Sequence, residues 1–363
     1  MEKKDLLIVG AGPVGLSTAL FLDKYANVKI IDKLTQPVPF SKAFGVSPRT
    51  LELLEPTGAT ELFLKNGRKL EAINIYKNGK ILVKNELSRV NHKYPFMLVQ
   101  SQADSEEIMT NILHKRGVAV QRGVELTSIN ISNGKTIVEA KSNNETLGSI
   151  TSDFLLASDG ANSTIRKHFS LSFNGDTLVD KWLVYDLEIE TPFHNEEAHI
   201  FMYELGALFM VRIKDNVWRI ISNIPDILND LPKNTTFGEI KWTSEFKISH
   251  RIIGAFQKDN IYFAGDSAHI HSGLGARGMN LGIEDAYVFS KLFKENKLAD
   301  YEKLRRPIVL DTLSRIENLT EIMQGKATKA KVFRYLAPTL MPIMFPLVRN
   351  KILNFVLGID HQV

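Results

Sequence analysis

Apolar residues fall into two kinds of spacing at the beginning of the chain. Residues 6–9 and 28–31 are short, continuous apolar runs, which is typical of buried parallel strands. Between them, apolar residues at helical spacing predict a helix whose first turn holds Pro13: Val14, Leu16, Ala19, Leu20 and Leu22. The chain is therefore predicted to begin with a strand, a helix and a second, parallel strand.

The middle of the chain predicts antiparallel sheet. Asn78-Gly79 stands between the β-rich runs 74–76 and 81–83, and Asn133-Gly134 stands between 126–131 and 136–140, which favours two-residue hairpins. Residues 200–205, 207–213 and 217–222 predict a three-stranded meander, with turns at Gly206 and at Asp215-Asn216.

Several helices are also predicted. One begins at Gln102, has capping-box spacing between Asp104 and Glu107, and ends at Gly117; residues 118–121 then predict another parallel strand. Residues 261–264 predict a strand, and residues 279–293 and 300–322 predict helices.

The last part of the chain is an apolar tail. Residues 335–348 are strongly apolar but number only 14, and the tail is interrupted by Pro338, Pro342 and Pro346. A spanning helix needs about 20 apolar residues, so no transmembrane segment is predicted. A Pro-kinked element that caps the main domain is the plainest interpretation; residues 333–357 could also form a peripheral membrane contact, a dimer contact or a lid over an apolar substrate.

Composition narrows the class of protein. The chain has 363 residues, 44% of them apolar, a net charge of +4 and no cysteine. A disulfide framework, a thiolate zinc site and a redox dithiol are therefore excluded, and nucleic-acid binding is not indicated because no basic run is interleaved with aromatic residues. The start of the chain carries no cleavable signal pattern, which predicts a cytoplasmic protein. A monomer and a homodimer are both compatible with the sequence.

A glycine motif supplies the first chemical signal. Gly10, Gly12 and Gly15 follow the first predicted strand, and Asp32 ends the second. The first glycine permits a tight turn, the second lets the backbone approach a pyrophosphate, and the third allows close contact between helix and strand. The helix N-terminus then attracts phosphate charge, and the acid can bind a ribose. A dinucleotide site is predicted here.

Two further motifs follow in order, Asp159-Gly160 and, roughly 250 residues after the glycine turn, Gly265-Asp266. Together the three motifs resemble those of the single-component, aromatic-hydroxylase-like flavoprotein monooxygenases, the group of para-hydroxybenzoate hydroxylase. The resemblance implies non-covalent FAD, with the glycine turn on its ADP part and Asp266 on its ribityl chain. The segment before the helix at 279–293 would lie against the flavin pyrimidine. The implied cofactor-binding residues are Gly10, Gly12, Pro13, Val14, Gly15, Asp32, Lys33, Lys42, Gln102, Asp159, Gly265, Asp266, Ala276, Arg277, Gly278, Met279 and Asn280.

The chain departs from the family pattern near the flavin ring. Lys42 stands at a common arginine position, Arg277 replaces a more usual glutamine, and Ser272-Gly273 stands where prolines are frequent. These departures leave FAD binding in place and bear on the oxygen chemistry.

Other residues have both a functional and a structural interpretation. Arg212 and Arg219 could anchor an anionic or phenolic substrate group, although surface charge is the plainer interpretation. Tyr203, Phe209 and Trp218 could line an aromatic pocket, but core packing explains them at least as well. His269 and His271 are spaced as metal ligands can be, but no carboxylate or cysteine cluster accompanies them, so no metal site is predicted.

The predicted fold is α/β with an α+β insert. A Rossmann-like FAD-binding domain with a parallel sheet is expected from 1–70, 98–175 and 255–300. A mostly antiparallel substrate-binding sheet is expected from 71–97 and 176–254, and a helical C-terminal region from 301–363.

The resemblance implies an FAD-dependent monooxygenase that takes electrons from NADPH or NADH. It would use O₂, through a flavin C4a-hydroperoxide, to hydroxylate or epoxidise an aromatic, polyketide-like or isoprenoid small molecule. Two alternatives stay open at this point: a reductase or dehydrogenase of the same fold without oxygen transfer, and a non-catalytic flavin-binding sensor.

Overall fold

The structure is a computed structural model, and it describes residues 4–38, 44–142 and 145–363. Its α-helices are α1 Pro13–Leu22, α2 Pro48–Leu54, α3 Ala59–Asn66, α4 Gln102–Lys115, α5 Thr164–His168, α6 Gly278–Glu295, α7 Tyr301–Gln324 and α8 Thr328–Leu357. Short 3-10 helices lie at Glu55–Thr57, Leu87–Arg89, Ile227–Asp230, Gly265–Ser267 and Leu298–Asp300.

The strands, in chain order, are β1 Asp5–Val9, β2 Asn27–Asp32, β3 Gly45–Val46, β4 Arg68–Leu70, β5 Ala72–Lys77, β6 Lys80–Glu86, β7 Met97–Val99, β8 Val120–Arg122, β9 Val124–Ser132, β10 Lys135–Ser142, β11 Glu145–Ser152, β12 Phe154–Ala157, β13 Phe173–Glu190, β14 Glu197–Met202, β15 Ala207–Lys214, β16 Val217–Ser222, β17 Thr236–Ile253, β18 Gln257–Lys258, β19 Ile261–Phe263 and β20 His269–Ile270.

A parallel sheet carries the N-terminal motif. Its order is β18-β19-β12-β1-β2-β8, and all neighbours are parallel except β18 with β19. The central strand β1 is buried from Leu6 to Val9, which explains its continuous apolar run. The predicted strand, helix and parallel strand are confirmed, and so is the parallel strand after α4, which begins at Val120.

A larger sheet follows the order β20-β17-β13-β16-β15-β14-β5-β6, antiparallel except between β14 and β5. The meander β14-β15-β16 is confirmed. So are both hairpins, because Asn78, Gly79, Asn133 and Gly134 all have the positive φ that a two-residue turn of this kind needs.

Some boundaries differ from the sequence prediction. Strands β13 and β17 were not predicted, and β11 adds a third strand to the hairpin β9-β10. The capping box at Asp104 is wrong, because the N-cap of α4 is Ser101, whose hydroxyl accepts the Asp104 N–H at 3.0 Å.

The expectation that prolines break the tail is also wrong, because α8 continues through Pro338, Pro342 and Pro346. The prolines are four residues apart and all exposed, so the carbonyls they deprive of a partner lie toward solvent. One of these carbonyls, that of Arg334, accepts a hydrogen bond from Lys77 Nζ instead. By length and composition α8 could cross a membrane. Only 17% of its most apolar 18-residue window is buried within the protein.

The predicted division into domains stays a prediction. The strands of the parallel sheet lie in the segments assigned to the cofactor domain. Strand β20 is the exception to the division, because it pairs with β17 of the larger sheet from within the segment 255–300.

Candidate cofactor site

The glycine turn between β1 and α1 combines two crowded glycines with an open one. Gly10 has φ +106°, and a Cβ there would lie 2.2 Å from the Ser158 carbonyl oxygen. A Cβ on Gly15 would lie 1.9 Å from the Gly10 carbonyl oxygen. A Cβ on Gly12 would meet no atom within 4 Å. The first and third glycines are therefore required by packing, whereas the space in front of Gly12 is free for a ligand.

The N-terminus of α1 faces that same space. Gly12 is the N-cap and provides no side-chain hydrogen bond, and Pro13 occupies the first turn. The first N–H groups of a helix have no partner within the helix, so an uncapped N-terminus beside an open glycine suits a phosphate group. Val14 reaches across to the distant motif, since a Cβ on Gly265 or Gly282 would lie 2.6 or 2.7 Å from its Cγ2.

Asp32 already holds the turn in place. Its Oδ2 accepts the Ala11 N–H at 2.7 Å and its Oδ1 accepts the Leu34 N–H at 2.7 Å. Each carboxylate oxygen can accept a second hydrogen bond, so contact with a ribose hydroxyl remains compatible with this geometry. Lys33 is exposed beside it, and Lys42 lies outside the described residues.

Asp159 lies beside the glycine turn, since a Cβ on Gly10 would lie 2.9 Å from its backbone nitrogen. Its Oδ2 accepts the N–H groups of Thr164 and Ile165 at 2.8 and 3.3 Å, so it caps α5. Its Oδ1 is buried and has no hydrogen-bond partner among the described residues. Burial raises the pKa of Asp159 above its usual value, and the N–H donors only partly oppose this. An unpaired oxygen at this point is a ready acceptor for a ligand hydroxyl.

The Gly265-Asp266 motif lies next to the glycine turn in space. Gly265 has φ +59°, and its N–H donates to Asp285 Oδ2 at 2.9 Å. Asp266 is exposed on the 3-10 turn that follows β19. The motif is thus anchored through its backbone, which leaves the Asp266 carboxylate available.

The loop before α6 is strained and closely packed. Gly275 and Ala276 both have positive φ, +91° and +52°, and such strain in a residue other than glycine often marks a functional site. A Cβ on Gly45 would lie 3.0 Å from the Ala276 Cβ, so β3 lies against this loop. The N-terminus of α6 at Gly278 has no side-chain cap, and its N–H groups can face a developing negative charge.

Asn280 holds the loop to β3. Its Oδ1 accepts from Ser47 N and Thr50 Oγ1 at 2.8 and 2.7 Å, and its Nδ2 donates to the carbonyls of Gly45 and Ala276 at 2.9 and 2.5 Å. All four hydrogen bonds of the side chain are thus made within the protein. Asn280 therefore positions the loop, and Met279 beside it is buried in the core.

The side chain of Arg277 points into the protein. It is fully buried, its three nitrogens have no hydrogen-bond partner in the described part of the chain, and its closest carboxylate is Glu284 at 3.5 Å. A Cβ on Gly358, just after α8, would lie 2.2 Å from Arg277 Nη1. Only the backbone of Arg277 is thus left for the predicted flavin contact.

A buried charge network lies behind the loop, and no motif in the sequence predicted it. Asp285 Oδ1 accepts from Arg305 Nε at 2.7 Å, and Asp285 Oδ2 lies 2.6 Å from His269 Nε2. Glu284 Oε2 lies 2.8 Å from His361 Nε2 near the end of the described chain. His269 is therefore bonded within the protein core, and no group of three or more potential metal ligands occurs among the described residues.

Neighbouring groups in this network favour the ionised forms of Asp285 and His361. Burial opposes ionisation of Asp285, but His269 and Arg305 more than offset it, so its pKa lies below the usual range. Burial likewise opposes the charge on His361, but hydrogen bonds to Asp360 and Glu284 raise its pKa above the usual value. The network ties the chain end to the helix that carries the loop.

Gln102 lies at the start of α4, near a cavity of about 650 Å³. Its Nε2 donates to Glu106 Oε1 at 2.7 Å. The cavity is bounded by Phe44, Gln100 and Arg219. Arg219 makes a bidentate, buried pair with Asp186, at 2.7 Å for both bonds, and lies 5.4 Å from the rings of both Phe44 and Trp242. Arg219 was a candidate substrate anchor in the sequence, but its pairing with Asp186 was not predicted, because the two residues come from different strands.

Phe209, Tyr203 and Arg212, three of the candidate substrate residues, do not lie together. Phe209 lies on the face of β15 that packs with Trp182, Leu274 of the strained loop and α7. Tyr203 packs in a different cluster and donates to the Asp230 carbonyl at 2.5 Å. Arg212 pairs with Glu196 at 3.0 Å. Phe209 is thus the predicted substrate residue closest to the loop, and its contact with a substrate stays a prediction.

A family model described as "FAD binding domain" matches residues 3–212 and 222–315. The chain is 27% identical over 373 residues to a 6-methylpretetramide 4-monooxygenase of Streptomyces rimosus, covering 95% of this chain and 67% of that protein. It is 29% identical over 307 residues to an uncharacterized aromatic compound monooxygenase of Bacillus subtilis, covering 79% of this chain and 60% of that protein. The chain thus spans about two thirds of the length of these relatives.

Among solved structures, the fold matches that of the p-nitrophenol 4-monooxygenase of Pseudomonas putida with a TM-score of 0.87. The match covers 100% of both chains at 19% identity. At that identity the likeness bears on the fold, and it confirms the predicted α/β fold with a parallel sheet, an antiparallel sheet and a helical C-terminal region.

Proposed function

Since the chain belongs to the FAD-binding-domain family of flavin-dependent aromatic hydroxylases, we propose that it is a monooxygenase that inserts one atom of O₂ into a small aromatic or polyketide-like molecule. One observation carries the proposal. The glycine turn, the Gly265-Asp266 turn and the first turns of α6 meet around Val14, Gly265 and Gly282, and the space in front of Gly12 is free. The strained loop at Gly275 and Ala276 leads directly into α6.

The residues present fit FAD. The backbone at Gly12 and the N-terminus of α1 would hold its pyrophosphate, Asp32 its ribose, and Asp266 its ribityl chain. When bound, FAD supplies the redox chemistry, with NADPH or NADH as the source of electrons. The chain's own part is positioning: the N-terminus of α6 provides N–H groups that stabilise negative charge on the reduced ring.

The side of the strained loop that faces the larger sheet is apolar and closely packed. Leu274 of the loop packs there with Phe209 and Trp182, so water is excluded from this side of the loop. This setting favours an aromatic substrate with few polar groups.

The proposal is tested with the purified chain loaded with FAD. Phenols, polyketides and prenylated quinones are screened for faster NADPH or NADH oxidation, and the products are analysed by mass spectrometry. A product that has gained one oxygen atom supports a monooxygenase. Anaerobic turnover of a substrate at the aerobic rate would instead assign a reductase or dehydrogenase. No cofactor-dependent consumption of NADPH or NADH with any compound would contradict both enzymes and favour a flavin-binding sensor.

A further inference from the structure

Helix α8 presents an apolar face to solvent. Leu347 is 84% exposed, Tyr335 82% and Ile343 70%. We call this surface the α8 face; it comprises Val332, Phe333, Tyr335, Leu336, Leu340, Ile343, Met344, Leu347, Val348 and Ile352. Helices on the surface of globular proteins normally turn charged or polar residues outward, so this face is unusual for a helix surrounded by water.

The opposite side of α8 is fixed to the protein. Ala330, Ala337 and Phe345 are buried along it, and Leu353 packs in a cluster with Met97 and Val211. Arg334 donates to the Gly206 carbonyl at 2.5 Å, so the first half of the helix is bonded to the larger sheet. Since the helix is held along its length, it is not free to cross a bilayer on its own.

Charge is arranged around the α8 face in one sign only. Lys329 and Lys331 precede the uncharged stretch 335–348, and Arg349 and Lys351 follow it. Of these, Lys329 is paired with Glu321 of α7, so the other three carry the argument. No aspartate or glutamate occurs anywhere within Thr328–Leu357. The 14 uncharged residues extend about 21 Å along a helix, less than the roughly 30 Å of a hydrocarbon core. An apolar face of this length with basic ends suits the interface of a membrane, with the helix lying in its plane.

We propose that the α8 face binds the surface of a bilayer that contains anionic lipids. The apolar side chains would enter the boundary of the acyl chains, and the basic residues at both ends would contact the headgroup charges. A second copy of the chain fits this face less well. Both ends of the helix are basic, so a symmetric dimer would bring like charges together in either orientation. The proposal does not depend on the proposed reaction, because binding is measured without turnover.

The test is cosedimentation of the full chain with vesicles of phosphatidylcholine, with and without phosphatidylglycerol. The unmodified chain is expected to bind the anionic vesicles and to be released by salt. Removing two basic residues in Lys331→Gln/Lys351→Gln should weaken binding about 30-fold, because each contributes about 1 kcal/mol. Ile343→Asn/Leu347→Asn should weaken it by more than about tenfold.

Matched control variants separate the α8 face from general surface properties. Leu147→Asn/Val179→Asn removes two exposed apolar residues elsewhere, with Val179 86% exposed, and Lys24→Gln/Lys65→Gln removes two exposed charges. Both controls should bind anionic vesicles like the unmodified chain. Equal binding to both kinds of vesicle, or equal weakening by the controls, would overturn the proposal. So would a stable dimer in lipid-free solution that Ile343→Asn/Leu347→Asn dissociates, since the face would then bind a second copy.

Discussion

Gly12→Ala separates cofactor binding from folding. The residue has φ −78° and ψ −175°, a conformation open to alanine, and the added Cβ would meet no protein atom within 4 Å. Alanine is slightly worse than glycine as an N-cap but restricts the unfolded chain, so the free energy of unfolding of the apoprotein should change by less than about 1 kcal/mol.

The same methyl group would occupy the space assigned to the pyrophosphate. It would separate the phosphate oxygens from the N–H groups of the turn, and each hydrogen bond to a charged group contributes about 1.5–3 kcal/mol. Loss of two such bonds weakens FAD binding by at least about 3 kcal/mol, which is a hundredfold or more in Kd.

Gly10→Ala provides the matched comparison within the same turn. Its Cβ would lie 2.2 Å from the Ser158 carbonyl oxygen, at φ +106°. Steric overlap with backbone and an unfavourable φ together should cost more than about 2 kcal/mol of folding stability. Gly10→Ala should thus unfold at lower denaturant concentration even without FAD.

The assay is urea denaturation of both apoproteins, followed by fluorescence titration with FAD. Gly12→Ala should unfold like the unmodified apoprotein and bind FAD a hundredfold or more weakly. FAD affinity equal to that of the unmodified chain would refute the assignment of this space to the cofactor. A large loss of stability in apo Gly12→Ala would refute the reasoning from packing.

Three further predictions concern the buried charges and α8. Asp285→Asn removes the nearer of the two carboxylate partners of Arg305 and leaves only Glu284 at 3.6 Å, so it should cost about 3–5 kcal/mol in urea denaturation. Asp311→Asn, on the exposed side of α7, should cost less than about 1 kcal/mol. The pKa of His361 is raised in the folded state, so His361 stabilises the fold below its unfolded pKa, and this contribution is lost as the pH rises through the higher folded value. His361→Gln should therefore destabilise the protein more at acidic than at alkaline pH. An equal loss of stability at both pH values would contradict this. Lys77→Met removes the donor to the Arg334 carbonyl, which has no helical partner because residue 338 is a proline. The free energy of unfolding should therefore fall by about 1 kcal/mol. An unchanged urea denaturation curve would contradict the role assigned to Lys77.

Acid should destabilise the fold through the carboxylates of α6. The pKa of Asp285 is lowered in the folded state, so its contribution is complete above the unfolded pKa and is lost as the pH falls through the folded value. Asp285→Asn should accordingly flatten the acid limb of a stability profile. A profile that falls as steeply as that of the unmodified chain would show that other carboxylates cause the acid unfolding.

Local signals explain which parts of this fold could be predicted from the sequence. Asn78-Gly79 and Asn133-Gly134 need positive φ at adjacent residues, and the glycine turn needs close backbone approach, so the residue types themselves reveal the geometry. Strands β13 and β17 were not predicted because their pairing is interrupted by register shifts and much of their length is partly exposed. Their alternation is therefore weak in the sequence.

The candidate site also has parts that could be predicted and parts that could not. Its glycine turns could be predicted because each glycine motif is local in the sequence, whereas its buried ion pairs could not. Asp285 meets Arg305 from 20 residues away, and Glu284 meets His361 from 77 residues away, and no spacing rule links such positions. The side chain of Arg277 could not be placed either, since its burial depends on the packing of Gly358.

Isotope labelling tests the proposed monooxygenase activity most directly. The FAD-loaded chain is supplied with NADPH or NADH, an aromatic substrate found in the screen, and ¹⁸O₂ in unlabelled water. One ¹⁸O atom is expected in the product for each molecule of substrate converted. A product whose new oxygen comes from water, or turnover that continues without O₂, would contradict it.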